Sequence, residues 1–352
     1  MQAESLIAAH RGALGNPANR FEHLQLEPDG DWNPDEDPLP RTQFLRDLSA
    51  SIIAWNDSPD LGFNASVNPY RGCEHGCVYC YARPTHEYLG FSSGLDFETK
   101  IMVKENAAQL LRAELESPRW QPQTIVMSGV TDCYQPVERK LKITRACLEV
   151  LAEFRNPVSL ITKNALITRD VDLLAELARH QAASVCLSVT TLDPELRRVM
   201  EPRTSPAAAR LAAIRQLADA GIPVSVNVAP VIPGLTDHEL PAILAAAAAA
   251  GATGANFTLL RLPHANTELF AQWLATHFPA RKDKVLNQLR ALRGGKLYDA
   301  QFGQRMLGEG IFAGQIQRIF DVARRKAGIK NDQAPLSAAA FRRPGGTQMD
   351  LL

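Results

Sequence analysis

The chain has 352 residues, 45% of them hydrophobic and 22% charged, and its 38 Lys and Arg balance 38 Asp and Glu to a formal net charge of zero. That is ample apolar material for a core, and the balance excludes a protein drawn as a whole to nucleic acid or an anionic surface, so any such partner must be met by a local basic face. Six cysteines, three of them crowded into one short stretch, exclude a disulfide framework and point to a reducing compartment, the cytoplasm. The opening residues have no basic leader and predict no secretory signal. The most apolar run, residues 242–250, is alanine-rich and too short to span a bilayer, so no membrane partner is expected.

Residues 1–62 carry eleven acids against four arginines, with Pro and Gly scattered through residues 27–42 and no sustained period. This composition predicts an extended N-terminal arm, with residues 26–40 a solvated tail. The early RGALGNPANRFE mixes Gly, Asn and Arg in a way suited to lying over another surface. From residue 63 the pattern changes. Strands are predicted over 65–70, 124–129, 157–163, 184–189, 223–231 and 255–262, and helices over 105–116, 138–154, 170–180, 205–220 and 237–250. A short strand over 100–104 precedes the first helix. In the helix over 205–220, Leu211, Ile214 and Leu217 recur at helical spacing with Arg210 and Arg215 off the stripe.

Apolar strands separated by helices imply parallel βαβ units, and six of them suit an α/β fold of the open, partial (β/α)6 TIM-like barrel kind over residues 63–264. Ligands of such folds gather at the C-terminal strand ends. Beyond residue 265 the alternation stops. Helices over 267–276, 280–293 and 311–327 predict a C-terminal helical extension to residue 330, followed by a tail over 331–352.

The most specific stretch is Pro69 to Arg83, PYRGCEHGCVYCYAR, in which Cys73, Cys77 and Cys80 fall within eight residues. Three thiolates this close repel one another unless a soft cation sits between them, which argues for iron-sulfur or zinc. A closed zinc site wants four ligands and commonly pairs two CxxC knuckles, yet the chain has no second CxxC. His75 or His86 could supply a fourth ligand.

The CxxxCxxC spacing, with Tyr79 just before the last cysteine, resembles the cluster loop of radical S-adenosylmethionine (SAM) enzymes. The resemblance implies a [4Fe-4S] cluster held by Cys73, Cys77 and Cys80, with one iron left open for the amino and carboxylate groups of SAM. It implies reductive cleavage of SAM to a 5'-deoxyadenosyl radical and an external electron donor of flavodoxin or ferredoxin type. It also implies roles at the strand ends. Gly129 in MSGVTD would let the backbone approach the SAM amino group, Lys163 would pair with the SAM carboxylate, Ser188 would meet the ribose, and Asn227 and Tyr79 would lie near the adenine.

Within the superfamily, GC...CxYCYxR, then TD, TK and EPxTSPxxARLAA, carried here by Glu201, Pro202, Thr204, Ser205, Pro206, Arg210 and Leu211, looks like the spore photoproduct lyase family. RGALGNPANRFE and LRLPH resemble one of its uncharacterised bacterial groups. That likeness implies a nucleic-acid lesion as substrate, Cys133 as a hydrogen-atom donor, and Tyr79 and Tyr81 as a radical relay. The lyase's cysteine aligns nearer Gly129, just before the TD pair, whereas Cys133 follows it. Residues 281–330, with twelve Lys or Arg against four acids, offer a basic stretch for nucleic acid. The competing reading is an iron-sulfur electron carrier or redox sensor that never cleaves SAM, which would normally use a closed four-cysteine site.

Overall fold

The structure, a computed structural model, describes residues 11–22 and 41–344. The acidic stretch at 26–40 therefore lies outside the described residues. Ten strands run through the described chain: β1 (Gln43–Arg46), β2 (Ile53–Trp55), β3 (Ala65–Val67), β4 (Tyr70–Arg71), β5 (Lys100–Val103), β6 (Ile125–Met127), β7 (Val158–Thr162), β8 (Ala183–Ser188), β9 (Val224–Val231) and β10 (Gly254–Leu259). Seven of them form one sheet in the order β10-β9-β8-β7-β6-β3-β2. The six from β3 to β10 are parallel and lie in chain order, while β2 runs antiparallel to β3. Helices Ala107–Glu116, Ile143–Phe154, Val171–Arg179, Ala207–Asp219 and Leu240–Ala249 supply the crossovers. The result is an open (β/α)6 partial barrel with β2 and β10 at its edges.

The strands are not uniformly apolar, and their alternation makes the cavity. On β7, β8 and β9 the residues Val158, Leu160, Val185, Leu187, Val224, Val226 and Val228 join the core shared with the helices. The intervening positions are small or polar, with Ser159 and Ser184 hydrogen-bonded to each other at 3.1 Å. Because side chains alternate across a strand, this parity leaves Ile161, Lys163, Ser188 and Asn227 facing an inner space.

Residues 41–62 do more than extend. β1 pairs in parallel with β5 in a second, three-stranded sheet with β4, and β2 adds an edge to the barrel. Both strands are short and largely exposed, so neither carries a readable period. The predicted helix over 138–154 is broken at Lys142, whose φ of 54° is left-handed. Buried Glu138 explains the break, since its Oε2 accepts from the Thr144 N–H at 3.0 Å and from the Tyr70 hydroxyl at 2.5 Å.

The N-terminal RGALGNP segment does lie over another surface. Gly12 N–H and Ala13 N–H donate to the Glu98 carboxylate at 3.1 and 2.8 Å, and Leu95 N–H donates to Gly15 O at 3.1 Å. A Cβ on Gly12 would stand 1.6 Å from the Gly76 carbonyl oxygen, so only glycine fits this backbone contact. Residues 331–344 are likewise docked. Asn331 brackets both backbone groups of Ala255, Gln333 donates to Val224 O, Ser337 N–H to Gln181 O and Arg342 N–H to Phe154 O. The segment thus straps the N-terminal ends of the strands, the face opposite the ligand end.

Glu98 is the hinge of the N-terminal contact, because the same carboxylate is paired with the fully buried Arg83. Glu98→Gln removes one partner of a buried pair and should cost roughly 3 to 5 kcal/mol, read from the midpoint of denaturant unfolding. Glu153→Gln serves as control. Its pair with Arg112 is 37% and 39% exposed and should cost less than about 1 kcal/mol.

Candidate cofactor site

Three buried or nearly buried thiols, Cys73, Cys77 and Cys80, line one cavity of about 510 Å³ at the C-terminal ends of the barrel strands. Their loop follows β4 and is built of turns. Gly72 and Gly76 take left-handed φ of 79° and 67°, Gly76 N–H closes on Cys73 O at 3.4 Å, and Cys80 N–H on Cys77 O at 3.2 Å. Burial pushes all three thiols up, with Asp132 adding to the effect at Cys73 and Glu201 at Cys77. A cation between them is what would turn them into thiolates.

Zinc does not suit the arrangement. Among the described residues no three His, Cys, Asp or Glu side chains are set to hold a single ion. His75, within the loop, has both nitrogens engaged, with Nδ1 3.3 Å from Asp132 Oδ2 and Nε2 3.3 Å from the Asn164 amide nitrogen. The Asn164 oxygen accepts from Leu166 N–H and the Ser205 hydroxyl, so its amide nitrogen is the donor and His75 Nε2 accepts. The ring therefore donates from Nδ1 to Asp132. His86 sits behind the loop, its ring centre 5.2 Å from that of Phe91 and 5.6 Å from that of Phe97. A polynuclear cluster asks less of the loop, since each thiol reaches a different iron.

The weaker motifs turn out to hold the loop. Arg83 donates to Cys77 O at 3.0 Å and to the carbonyls of Ser93 and Gly94. Asp132 accepts from the Thr162 hydroxyl at 2.7 Å and from Tyr134 N–H and Lys163 N–H, both at 2.8 Å, besides His75. In the EPRTSP segment, Glu201 accepts from Arg210 at 2.5 Å, from Thr190 at 2.7 Å and from the Tyr79 hydroxyl. Burial alone would raise the Glu201 carboxyl, but Arg210 and Lys163 outweigh it and hold it at about 2. Arg203 pairs with Glu74 of the loop at 3.0 Å, and Val78 N–H donates to Met200 O. The role of Asp132 in bracing the loop escaped the sequence reading, because its partners His75 and Thr162 are distant in the chain, and His75, read there as a possible ligand, is instead one of those partners.

The strand-end residues singled out in the sequence, Gly129, Lys163, Ser188 and Asn227, all line the cavity, as do Tyr79 and Tyr81. At the turn after β6 the left-handed residue is Ser128, φ 71°, rather than Gly129; a Cβ at Gly129 would come within 3.2 Å of the Ser66 Cβ. Lys163 Nζ donates to Ala229 O at 3.1 Å and stands 5.9 Å from the Tyr79 ring centre. Asn227 Oδ1 is buried without a hydrogen-bond partner, an acceptor that a bound ligand could satisfy. Tyr79 turns its hydroxyl away to Glu201, whereas Tyr81 donates to Gly129 O at 2.7 Å and remains 46% exposed.

Cys133 is the exception. It is fully buried, belongs to the core between sheet and helices, and does not line the cavity. Thr131 donates to Tyr70 O at 2.6 Å and Cys133 N–H to the Ser128 hydroxyl at 2.7 Å, which turns the chain inward after the TD pair. The basic stretch over 281–330 also divides. Arg293 is buried on Leu260 O and Arg305 O, and Arg324 caps Ile329 O, while of the Lys and Arg in the stretch Arg305 is the one that lines the cavity.

No helix among the described residues is long and apolar enough to cross a membrane. The family model for the radical SAM superfamily matches residues 67–247, about half of the chain. An uncharacterized protein of Mycobacterium tuberculosis is 43% identical over 221 residues, covering 62% of this chain and 65% of the relative. One of Methanocaldococcus jannaschii is 30% identical over 173 residues, covering 49% and 62%. This chain thus aligns with less than two thirds of the length of either relative. Spore photoproduct lyase complexed with dinucleoside spore photoproduct shares the fold, with a TM-score of 0.55 over 81% of this chain and 78% of that one at 15% identity. With the cysteine loop at the C-terminal mouth of an open (β/α)6 barrel and the family model running from the end of β3 through that loop and on past β9, the chain belongs to the radical SAM superfamily.

Proposed function

We propose that the protein holds a [4Fe-4S] cluster on Cys73, Cys77 and Cys80, binds SAM beside it, and starts radical chemistry on a substrate admitted at the cavity mouth. The observation that carries this reading is the convergence of all three thiols with Lys163, Ser188 and Asn227 on one cavity. When bound, the cluster supplies one electron to SAM, whose cleavage gives methionine and a 5'-deoxyadenosyl radical. Every other task falls to the chain. Lys163 meets the SAM carboxylate as a point charge, the buried Asn227 oxygen takes a donor from the nucleoside, and Ser188 takes the ribose. The Asp132–His75 and Glu201–Arg210–Tyr79 networks keep the loop from moving as the ligands enter.

An electron carrier has no use for an inner barrel face of polar strand-end groups, and this distinguishes the two readings. An external flavodoxin- or ferredoxin-like protein is inferred as the electron source. A nucleic-acid lesion is the substrate class to test first, on the motif likeness to the lyase family. Of the three residues read as hydrogen-atom handlers, Cys133 is away from the cavity and Tyr79 turns its hydroxyl to Glu201, so we assign any such return to the exposed Tyr81.

Replacing any one of Cys73, Cys77 or Cys80 by Ala should abolish the broad visible absorption of the reconstituted protein and lower its iron content. Cys147→Ala, in the core, should keep both. Iron at the wild-type level in Cys77→Ala would remove the cluster from this loop. Ser188→Ala and Lys163→Ala should each keep the cluster and weaken SAM binding by about 1 to 3 kcal/mol in equilibrium titration. Unchanged affinity in both would move SAM away from these strand ends.

A further inference from the structure

Arg261, just after β10, lines the cavity on the side of the mouth. Its guanidinium lies 5.0 Å from the centre of the Tyr81 ring, and its one hydrogen-bond contact is Nη1 to the thioether sulfur of Met306 at 3.6 Å, a weak acceptor. No carboxylate pairs with it among the described residues. The acid at the mouth, Asp60, is taken by Arg305 and by Gly303 N–H at 2.7 Å. Asp132, the acid among the cavity-lining residues, already accepts from four donors.

A guanidinium carries five N–H donors, and holding it partly out of water without acceptors is unfavourable. Burial works most strongly against its charge and neighbouring Arg305 adds to this, while Tyr81, Tyr298 and Asp60 act in the opposite sense without outweighing burial. The Tyr81 ring gives the cation a face to lie against but no hydrogen-bond acceptor for its N–H groups. What such a fork matches is a planar or tetrahedral oxyanion, bound through two parallel hydrogen bonds. Arg305 cannot take this part, since Asp60 and the Ser58 hydroxyl occupy it. Nor is SAM the ligand required, because Lys163 serves its carboxylate in the reading above.

We propose that Arg261 anchors an oxyanion of the substrate, a phosphate or a carboxylate, against the Tyr81 ring at the cavity mouth. This rests on the radical SAM reading of the cavity, and it adds a second anion subsite distinct from that of SAM.

The test titrates the cluster-loaded, SAM-bound protein with phenyl phosphate, benzoate and neutral benzamide, followed by ligand-observed NMR. The phosphate and carboxylate arms separate the two sources of the oxyanion. At least one anion should bind, with benzamide weaker, and R261Q should weaken that anion about tenfold or more, the worth of a charged hydrogen-bond pair. R261K should recover part of the loss, and SAM affinity should stay within about twofold of wild type in both variants. Anion affinity in R261Q equal to wild type, or no anion binding by wild type, overturns the proposal. So does an R261Q that loses SAM but keeps the anion, which would hand Arg261 to SAM. The failures read separately, because a wild-type protein that takes up no SAM sinks the radical reading, whereas these outcomes leave SAM binding by wild type intact.

Discussion

The loop that carries the three cysteines has almost no regular secondary structure, and its shape depends on buried charge paired from outside it. Arg83 and Glu98 are both fully buried, as are Glu201 and Arg210 within a few per cent. Either charge alone would be costly in that environment, so the pairs fix the positions of the segments that bear them. Arg83 holds the carbonyl of Cys77, Glu98 holds the N-terminal segment over Gly76, and Glu201 holds Tyr79 beside Cys80. Three thiols that would repel one another as thiolates are thereby presented to one cavity.

The barrel performs a second task with the same strands. On β7 to β9 the outward residues are Val and Leu that pack on the helices, while those facing the cavity are mostly polar, Lys163, Ser188 and Asn227 beside Ile161. A closed TIM barrel fills its interior with branched apolar side chains. Here the sheet is open and the small polar inner residues leave room for ligands. Lys163 lies on the inner floor 5.9 Å from the Tyr79 ring centre, and Arg261 lies at the rim 5.0 Å from that of Tyr81, so these two cations stand in different parts of the cavity. Flanking tyrosines of one cysteine, Cys80, thus face different neighbours.

Much of this was legible in the sequence. The spacing of Cys73, Cys77 and Cys80 is constrained by metal chemistry, and the six parallel strands are mostly buried and show their apolar character, so loop and barrel could be read together. The strand-end residues Lys163, Ser188 and Asn227 were picked out by the family resemblance, and the alternation of side chains along a strand places them on the inner face. What escaped was set by tertiary contact. β1 and β2 are too short to show a period, the break at Lys142 answers to buried Glu138, and the residues after 331 dock through Asn and Gln side chains that composition reads as tail. Cys133 follows the TD pair at the strand end, but two hydroxyl hydrogen bonds turn its segment into the core. The EPRTSP motif was visible as a likeness, yet its work, bracing Tyr79 through Glu201, appears only in three dimensions.

The account turns on whether this cavity cleaves SAM. The direct measurement is anaerobic reconstitution with iron and sulfide, reduction with dithionite, addition of SAM, and chromatographic assay for 5'-deoxyadenosine. The account predicts that 5'-deoxyadenosine forms with the wild-type protein and is absent with Cys77→Ala. A wild-type cluster that is reduced and reoxidised while SAM stays intact would contradict it and leave an electron carrier in its place.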